Sequence, residues 1–268
     1  MESRPSDEQI PPFVVSSAEL LILLAVLLPP AALDDVGSLV MERKVITPYG
    51  VVGPLALRRL DDQTNIWIQP YSGEASRTDP RATIFAAYAL GVRRILAWDM
   101  AVALNPVLPR GQVGVVADYV DWTRQPGTFR GAPPAMPVTA EGSAPVLCPR
   151  LMAALHETLP FAADVVYLGT DGPRRETPAE ARLFRQWGAD VLGHNIVPEA
   201  ALAREAGICF AGLVTVGDFS SDRRMIPAQG EVRASLGAVL SSLPDFAAVA
   251  AAGTCDCAGP RPEGARAH

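Results

Sequence analysis

Two aspartates and a histidine stand where strands are expected to end. Asp99 follows the apolar run 94–98, His194 follows 191–193, and Asp218 follows 208–216. Open α/β sheets bind ligands beyond the C-terminal ends of their strands, so all three are placed for work. A histidine titrates near neutral pH and moves protons there. Two carboxylates in different surroundings beside it would supply an acid and a base in one pocket. That is equipment for general acid–base chemistry on a small molecule: hydrolysis, elimination, cyclisation or isomerisation. Two of these residues also have a plainer reading, Asp218 as a turn cap ahead of Ser220 and Ser221, and His194 as a structural side chain.

The elements that must position them are legible as alternating patterns. Apolar runs predict strands at 20–28, 55–60, 65–69, 94–98, 114–117, 163–168, 191–193 and 208–216. Helical spacing predicts helices at 81–90, 148–157, 177–187, 197–205 and 231–251, and the alternation implies an α/β sheet with helices on both faces. Thr177-Pro178-Ala179-Glu180 has a capping hydroxyl, a proline at the first helical position and an acid in the first turn. Val197-Pro198-Glu199 repeats that device, and Gly207 ends its helix. Leu183, Phe184 and Trp187 fall at helical spacing and are expected to face the core. The Pro-rich segment 131–149 reads as a long loop. Residues 1–17 and 258–268 are polar ends expected to fray, which leaves one domain over 18–257.

Composition narrows the class. A net charge of −6 without a Lys/Arg cluster argues against a nucleic-acid surface. The run LLILLAVLL at 20–28 is too short to span a membrane, which takes about 20 apolar residues, and acids precede it, so it reads as a buried strand of a cytoplasmic protein. Cys148, Cys209, Cys255 and Cys257 show no zinc-type spacing, and a cytosolic enzyme would keep them reduced. The Cys255-x-Cys257 pair has redox potential, but its Gly/Pro-rich setting favours a plain role. No residue pattern calls for a metal or cofactor.

Residues 169–221 carry a family resemblance. Gly172-Pro173-Arg174 with Glu176–Glu180, Phe184-Arg185 with 187–191, Val197-Pro198-Glu199 with 202–209, and Asp218 are similar, in order, to the methylthioadenosine phosphorylase and purine nucleoside phosphorylase family. The resemblance implies a single-domain nucleoside-phosphorylase-like fold, a mixed central β-sheet flanked by helices. It implies cleavage of a purine nucleoside by phosphate attack on the sugar carbon, with Asp218 contacting the purine at N7. Residues 118–123 and 128–131 match a family loop at the subunit contact, which implies a homotrimer. The family often has a cysteine pair near its C-terminus.

At several matched positions the residues differ. His194 and Asn195 replace a methionine and a small hydroxyl residue that touch sugar and phosphate. Glu176 falls where a small polar residue lies near the base, and Arg175 replaces an aromatic ring. Ser220 replaces a second acid, with Asp222 close by. The phosphate cradle departs in three places. Residues 23–30 end on two prolines rather than a glycine-rich loop, Tyr71-Ser72-Gly73 replaces Arg-His-Gly, and Asp99-Met100 replaces a hydroxyl-bearing pair. A carboxylate about 4 Å from phosphate would cost a few kcal/mol at an effective dielectric near 20.

The expected function is therefore a repurposed enzyme that has lost phosphate, with Asp99, His194 and Asp218 performing acid–base chemistry on a nucleoside-like or secondary-metabolite molecule. Tyr71, Ser72, Met100, Arg175, Glu176, Asn195, Ser220 and Asp222 are its expected substrate contacts. The alternatives are a methylthioadenosine or purine nucleoside phosphorylase with a remodelled anion site, and a nucleoside binder without turnover.

Overall fold

The stretch whose hydropathy suggested a membrane, β1 (Leu20–Ala25), is a central strand with both faces buried. It pairs in parallel with β4 (Asn65–Gln69) on one side and β5 (Arg94–Ala103) on the other. Side chains alternate across a strand, so Leu21 and Leu23 enter one core layer while Leu20, Ile22 and Leu24 enter the other. A strand covered on both faces reads as a continuous apolar run, which is what residues 20–24 are. After it comes a 3-10 helix (Pro30–Val36) rather than plain loop.

The structure is a computed structural model describing residues 18–61, 64–70, 79–132, 146–223, 230–252 and 255. The expected frayed ends, Tyr71, Ser72, Cys257 and most of the expected Pro-rich loop lie outside the described residues.

The sheet has nine strands in the order β2-β3-β4-β1-β5-β8-β7-β6-β9. The remaining strands are β2 (Ser38–Thr47), β3 (Gly50–Arg59), β6 (Val113–Trp122), β7 (Ala163–Thr170), β8 (Val191–Gly193) and β9 (Cys209–Phe219). Parallel and antiparallel pairs are mixed, and β9 also pairs with β5. That contact closes β5, β8, β7, β6 and β9 into a ring, from which β1, β4, β3 and β2 extend as a wing. The helices α1 (Pro80–Ala89) and α4 (Glu199–Glu205) cover one layer, and α2 (Pro149–Thr158) and α5 (Gly230–Ala251) cover the other. A smaller cluster joins Ala181 and Phe184 of α3 (Pro178–Gln186) to Leu104, Leu168 and Leu192. Among the described residues, the stretch Glu231–Ala251 of α5 is long and apolar enough to cross a membrane, but it sinks Val239, Leu240, Leu243, Phe246, Ala247 and Ala250 into the core.

Several local expectations change in the structure. The Thr177 capping box forms as expected, with Thr177 and Glu180 each satisfying the other's backbone N–H. At α4 the device is absent: Pro198 occupies the cap position and makes no side-chain cap bond. Gly207 follows that helix with φ +66°, the left-handed conformation glycine supplies. Of the three residues expected to face the core from α3, only Phe184 is buried, while Leu183 and Trp187 are each 41% exposed. Residues 118–122, read as a loop by resemblance, continue strand β6.

Candidate active site

Both aspartates lie inside strands rather than beyond them. Asp99 is midway along β5, because pairing with β9 continues through Ala103. Asp218 is the penultimate residue of β9, opposite Val102. His194 directly follows β8, whose antiparallel pairing with β5 brings it beside Asp99.

Asp99 is 1% exposed, and its carboxylate is surrounded by donors. Oδ2 accepts from the Tyr167 hydroxyl at 2.7 Å, from the His194 backbone N–H at 3.1 Å and from the Asn195 backbone N–H at 3.3 Å. Oδ1 accepts from the Asn195 side-chain amide at 2.8 Å. Burial raises its pKa, and the bonds from Tyr167, Asn195 and His194 oppose that shift. Burial and the Asp99 charge hold the Tyr167 hydroxyl well above the usual range, so it remains a donor. Gly193 makes the approach possible: a Cβ there would lie 2.3 Å from Asp99 Oδ2 and 2.5 Å from the Tyr167 oxygen. Asp99 therefore fastens the turn after β8 to β5 and β7. The cost assigned to it near phosphate presumed an uncompensated charge, whereas four donors meet this one.

The His194 ring bonds Thr170, while its backbone N–H serves Asp99. Its Nδ1 donates to the Thr170 carbonyl at 2.8 Å and lies 3.2 Å from the Thr170 hydroxyl. That bond fixes the orientation of the ring. Gly172 packs against the ring, where an added Cβ would sit 3.5 Å away.

Asp218 and the 174–176 loop form a second group. Arg175 Nη1 donates to Asp218 Oδ2 at 3.0 Å, and its Nη2 donates to the Phe219 carbonyl at 2.6 Å. Asp218 Oδ1 accepts from the Phe219 backbone N–H at 2.8 Å. Glu176, 6% exposed, accepts from the Ser221 N–H at 2.6 Å through Oε1, while its buried Oε2 has no hydrogen-bond partner among the described residues. Glu176 lines a cleft of about 290 Å³ with Trp122, Thr170, Asp171, Arg174 and Phe184.

The remaining expected contacts divide. Asn195 joins the Asp99 group. Met100 is half-buried on β5 and would collide with a Cβ at Gly217, so it packs directly on β9. Ser220 and Asp222 do not join Asp218. Arg185 of α3 bonds Ser220 Oγ at 3.3 Å and pairs with both oxygens of Asp222, whose pKa its guanidinium draws down to about 2. Tyr167, Thr170 and Arg185 were missed as site neighbours. Their bonds reach across 24 to 68 positions, and no local pattern in the chain marks them.

Comparison with known proteins gives the chain a family. The sequence model described as "Phosphorylase superfamily" matches residues 30–251. The chain is 34% identical over 188 residues to an S-methyl-5'-thioadenosine phosphorylase of Pyrococcus abyssi, covering 66% of this chain and 71% of the relative. It is 33% identical over 201 residues to a protein of Moorella thermoacetica named a probable 6-oxopurine nucleoside phosphorylase, covering 71% and 76%. In fold it is similar to a methylthioadenosine phosphorylase sourced from an antarctic soil metagenomic library, with TM-score 0.77, 24% identity, and 93% and 95% of the two chains covered. A Schistosoma mansoni methylthioadenosine phosphorylase solved with tubercidin gives TM-score 0.75 at 22% identity, covering 88% and 93%.

Proposed function

The chain belongs to the phosphorylase superfamily, in its methylthioadenosine and purine nucleoside phosphorylase family, and from that premise we propose that it cleaves a purine nucleoside by phosphorolysis. The expectation of a repurposed enzyme that has abandoned phosphate is corrected here. Relatives about 34% identical over two thirds of the chain are named S-methyl-5'-thioadenosine phosphorylases, and the expected acid–base set does not assemble around Asp99, whose oxygens serve the turn after β8.

In the proposed reaction a phosphate oxygen attacks the anomeric carbon, the bond to the purine nitrogen breaks, and the base departs carrying the electron pair. Asp218, at the end of β9, is the group that stabilises the leaving base at N7. In the structure its carboxylate is engaged by Arg175, so substrate entry requires that guanidinium to withdraw. Glu176 carries the reading of the base. A buried carboxylate oxygen with no partner accepts a ring N–H. A 6-oxopurine presents such an N–H at N1, where adenine presents a lone pair, so a 6-oxopurine nucleoside is the favoured substrate class.

We take the assembly to be a homotrimer, which the family-like segment 118–131 supports. Thr128 and the Phe129 backbone hold that segment on Glu205 of α4, both at 2.7 Å.

The deciding experiment measures base release from inosine, guanosine, methylthioinosine, adenosine and methylthioadenosine, with and without phosphate. Phosphate-dependent release of hypoxanthine or guanine, faster than release of adenine, is expected. Release that ignores phosphate, or none from any substrate, overturns the proposal.

A further inference from the structure

Three cysteines from distant parts of the chain meet on the opposite core layer. Cys148 caps α2, Cys209 begins β9, and Cys255 follows α5. Their sulfurs all lie within 4.8 Å of one another, with Cys148 and Cys255 at 3.3 Å. Cys148 and Cys209 are buried thiols, and Cys255 is disulfide-bonded. The expectation that every cysteine is reduced therefore fails at Cys255, and the absence of a zinc-type spacing conceals a cluster assembled by the fold.

We propose that, once reduced, Cys148, Cys209 and Cys255 bind one thiophilic metal ion, zinc(II) in the first instance. Zinc–sulfur bonds near 2.3 Å set sulfur–sulfur edges of about 3.8 Å in a tetrahedral site. The 3.3 Å pair and the 4.8 Å limit on the cluster lie on either side of that value, so closure takes only small side-chain movements. Three thiolates and a divalent ion leave one net negative charge. The adjoining cleft of about 150 Å³ is lined by Arg150, by Arg94, which pairs with Glu19, and by Glu157. It also gives the ion an entry path and leaves room for a fourth ligand. Packed cysteines are commonly plain apolar filler. Convergence from three elements, beside two guanidinium groups and an open cleft, is more than filling requires.

The chemistry makes the site conditional. A dithiol reductant delivers two electrons and two protons to the Cys255 disulfide, yielding two thiols and becoming a disulfide itself. Zinc then displaces the protons of the three thiols to solvent. Disulfide and metal compete for the same Cys255 sulfur, so the ion binds only the reduced protein.

The test uses the full chain, reduced with a phosphine, stripped of metal, and titrated with zinc(II) by calorimetry and with cobalt(II) by absorption. One ion per chain is expected, with thiolate-to-cobalt charge-transfer bands. Cys209→Ser and Cys148→Ser, checked for folding by circular dichroism, should each weaken binding by at least the roughly 10–100-fold that loss of an outer-shell partner costs. The oxidised chain should take up no ion at this site. Absence of uptake by the reduced protein, or uptake unchanged in both variants, overturns the proposal. Since the readout is metal stoichiometry, its failure is separate from any failure of the phosphorolysis reading.

Discussion

Asp218 and Asp99 are both aspartates on neighbouring strands, yet the structure gives them opposite surroundings. Asp218 is partly exposed and held by one arginine that can leave. Replacing it with asparagine should lower kcat by about 10²–10⁴-fold with little change in melting temperature, because the group proposed to stabilise the leaving base is lost and no core contact is broken. Equal activity of the variant in a steady-state assay would remove Asp218 from the mechanism. Asp99 is buried and accepts four hydrogen bonds from Tyr167, His194 and Asn195. Asp99→Ala strands those donors away from water and should cost about 3 kcal/mol or more of stability, read from urea unfolding. A loss below about 1 kcal/mol would mean that water replaces the carboxylate and that the anchoring role is wrong.

The elements set how far such residues could be foreseen. A strand buried on both faces, such as β1, announces itself as a run of leucines, and β4 and β8 begin and end where the alternation said. β2 was missed because it is an edge strand whose centre is Glu42-Arg43-Lys44, with neither face buried enough to impose a period. Asp218 and His194 were legible as residues at strand ends. The partners that fix Asp99 were not, since they come from β7 and the turn after β8 and only pairing brings them together. The start of α4 illustrates a hidden electrostatic term. Glu199 ionises only at about 7, mainly because burial disfavours its charge. An unfolded chain loses that proton near 4.5, so the folded state holds an extra proton between those values. Its contribution to stability is full below about pH 4.5 and is lost as pH rises through 7. Asp99, also raised by burial, acts with the same sign. Asp222 and Glu180, both lowered to about 2 by arginine partners, act oppositely, but only as pH falls through the acid range. The unfolding free energy, read from urea denaturation, should therefore decline from pH 5 to 8, and Glu199→Gln should flatten the decline by up to about 3 kcal/mol. Parallel curves for the two proteins would refute this assignment.

At the scale of the whole molecule, the wing ends on a surface that water does not favour. Leu39, Val40 and Met41 of β2, with Ile46 and Val51 at the β2–β3 hairpin, are all exposed, Ile46 by 84%. An apolar edge strand of this kind invites a partner. Light scattering behind a sizing column should report three chains per particle, and Ile46→Glu combined with Val51→Lys should shift it towards one if this edge takes part in the assembly. A wild-type monomer at micromolar concentration would contradict the trimer. The closed ring has another consequence, for the chain as it is made. β5 starts at residue 94 and its ring partner β9 starts at residue 209, about 115 residues later. At roughly 5–20 residues per second, β5 waits on the order of 6–23 s with one edge unpaired. Synthesis rate and chaperone supply, more than final stability, then decide how much of this protein a cell recovers.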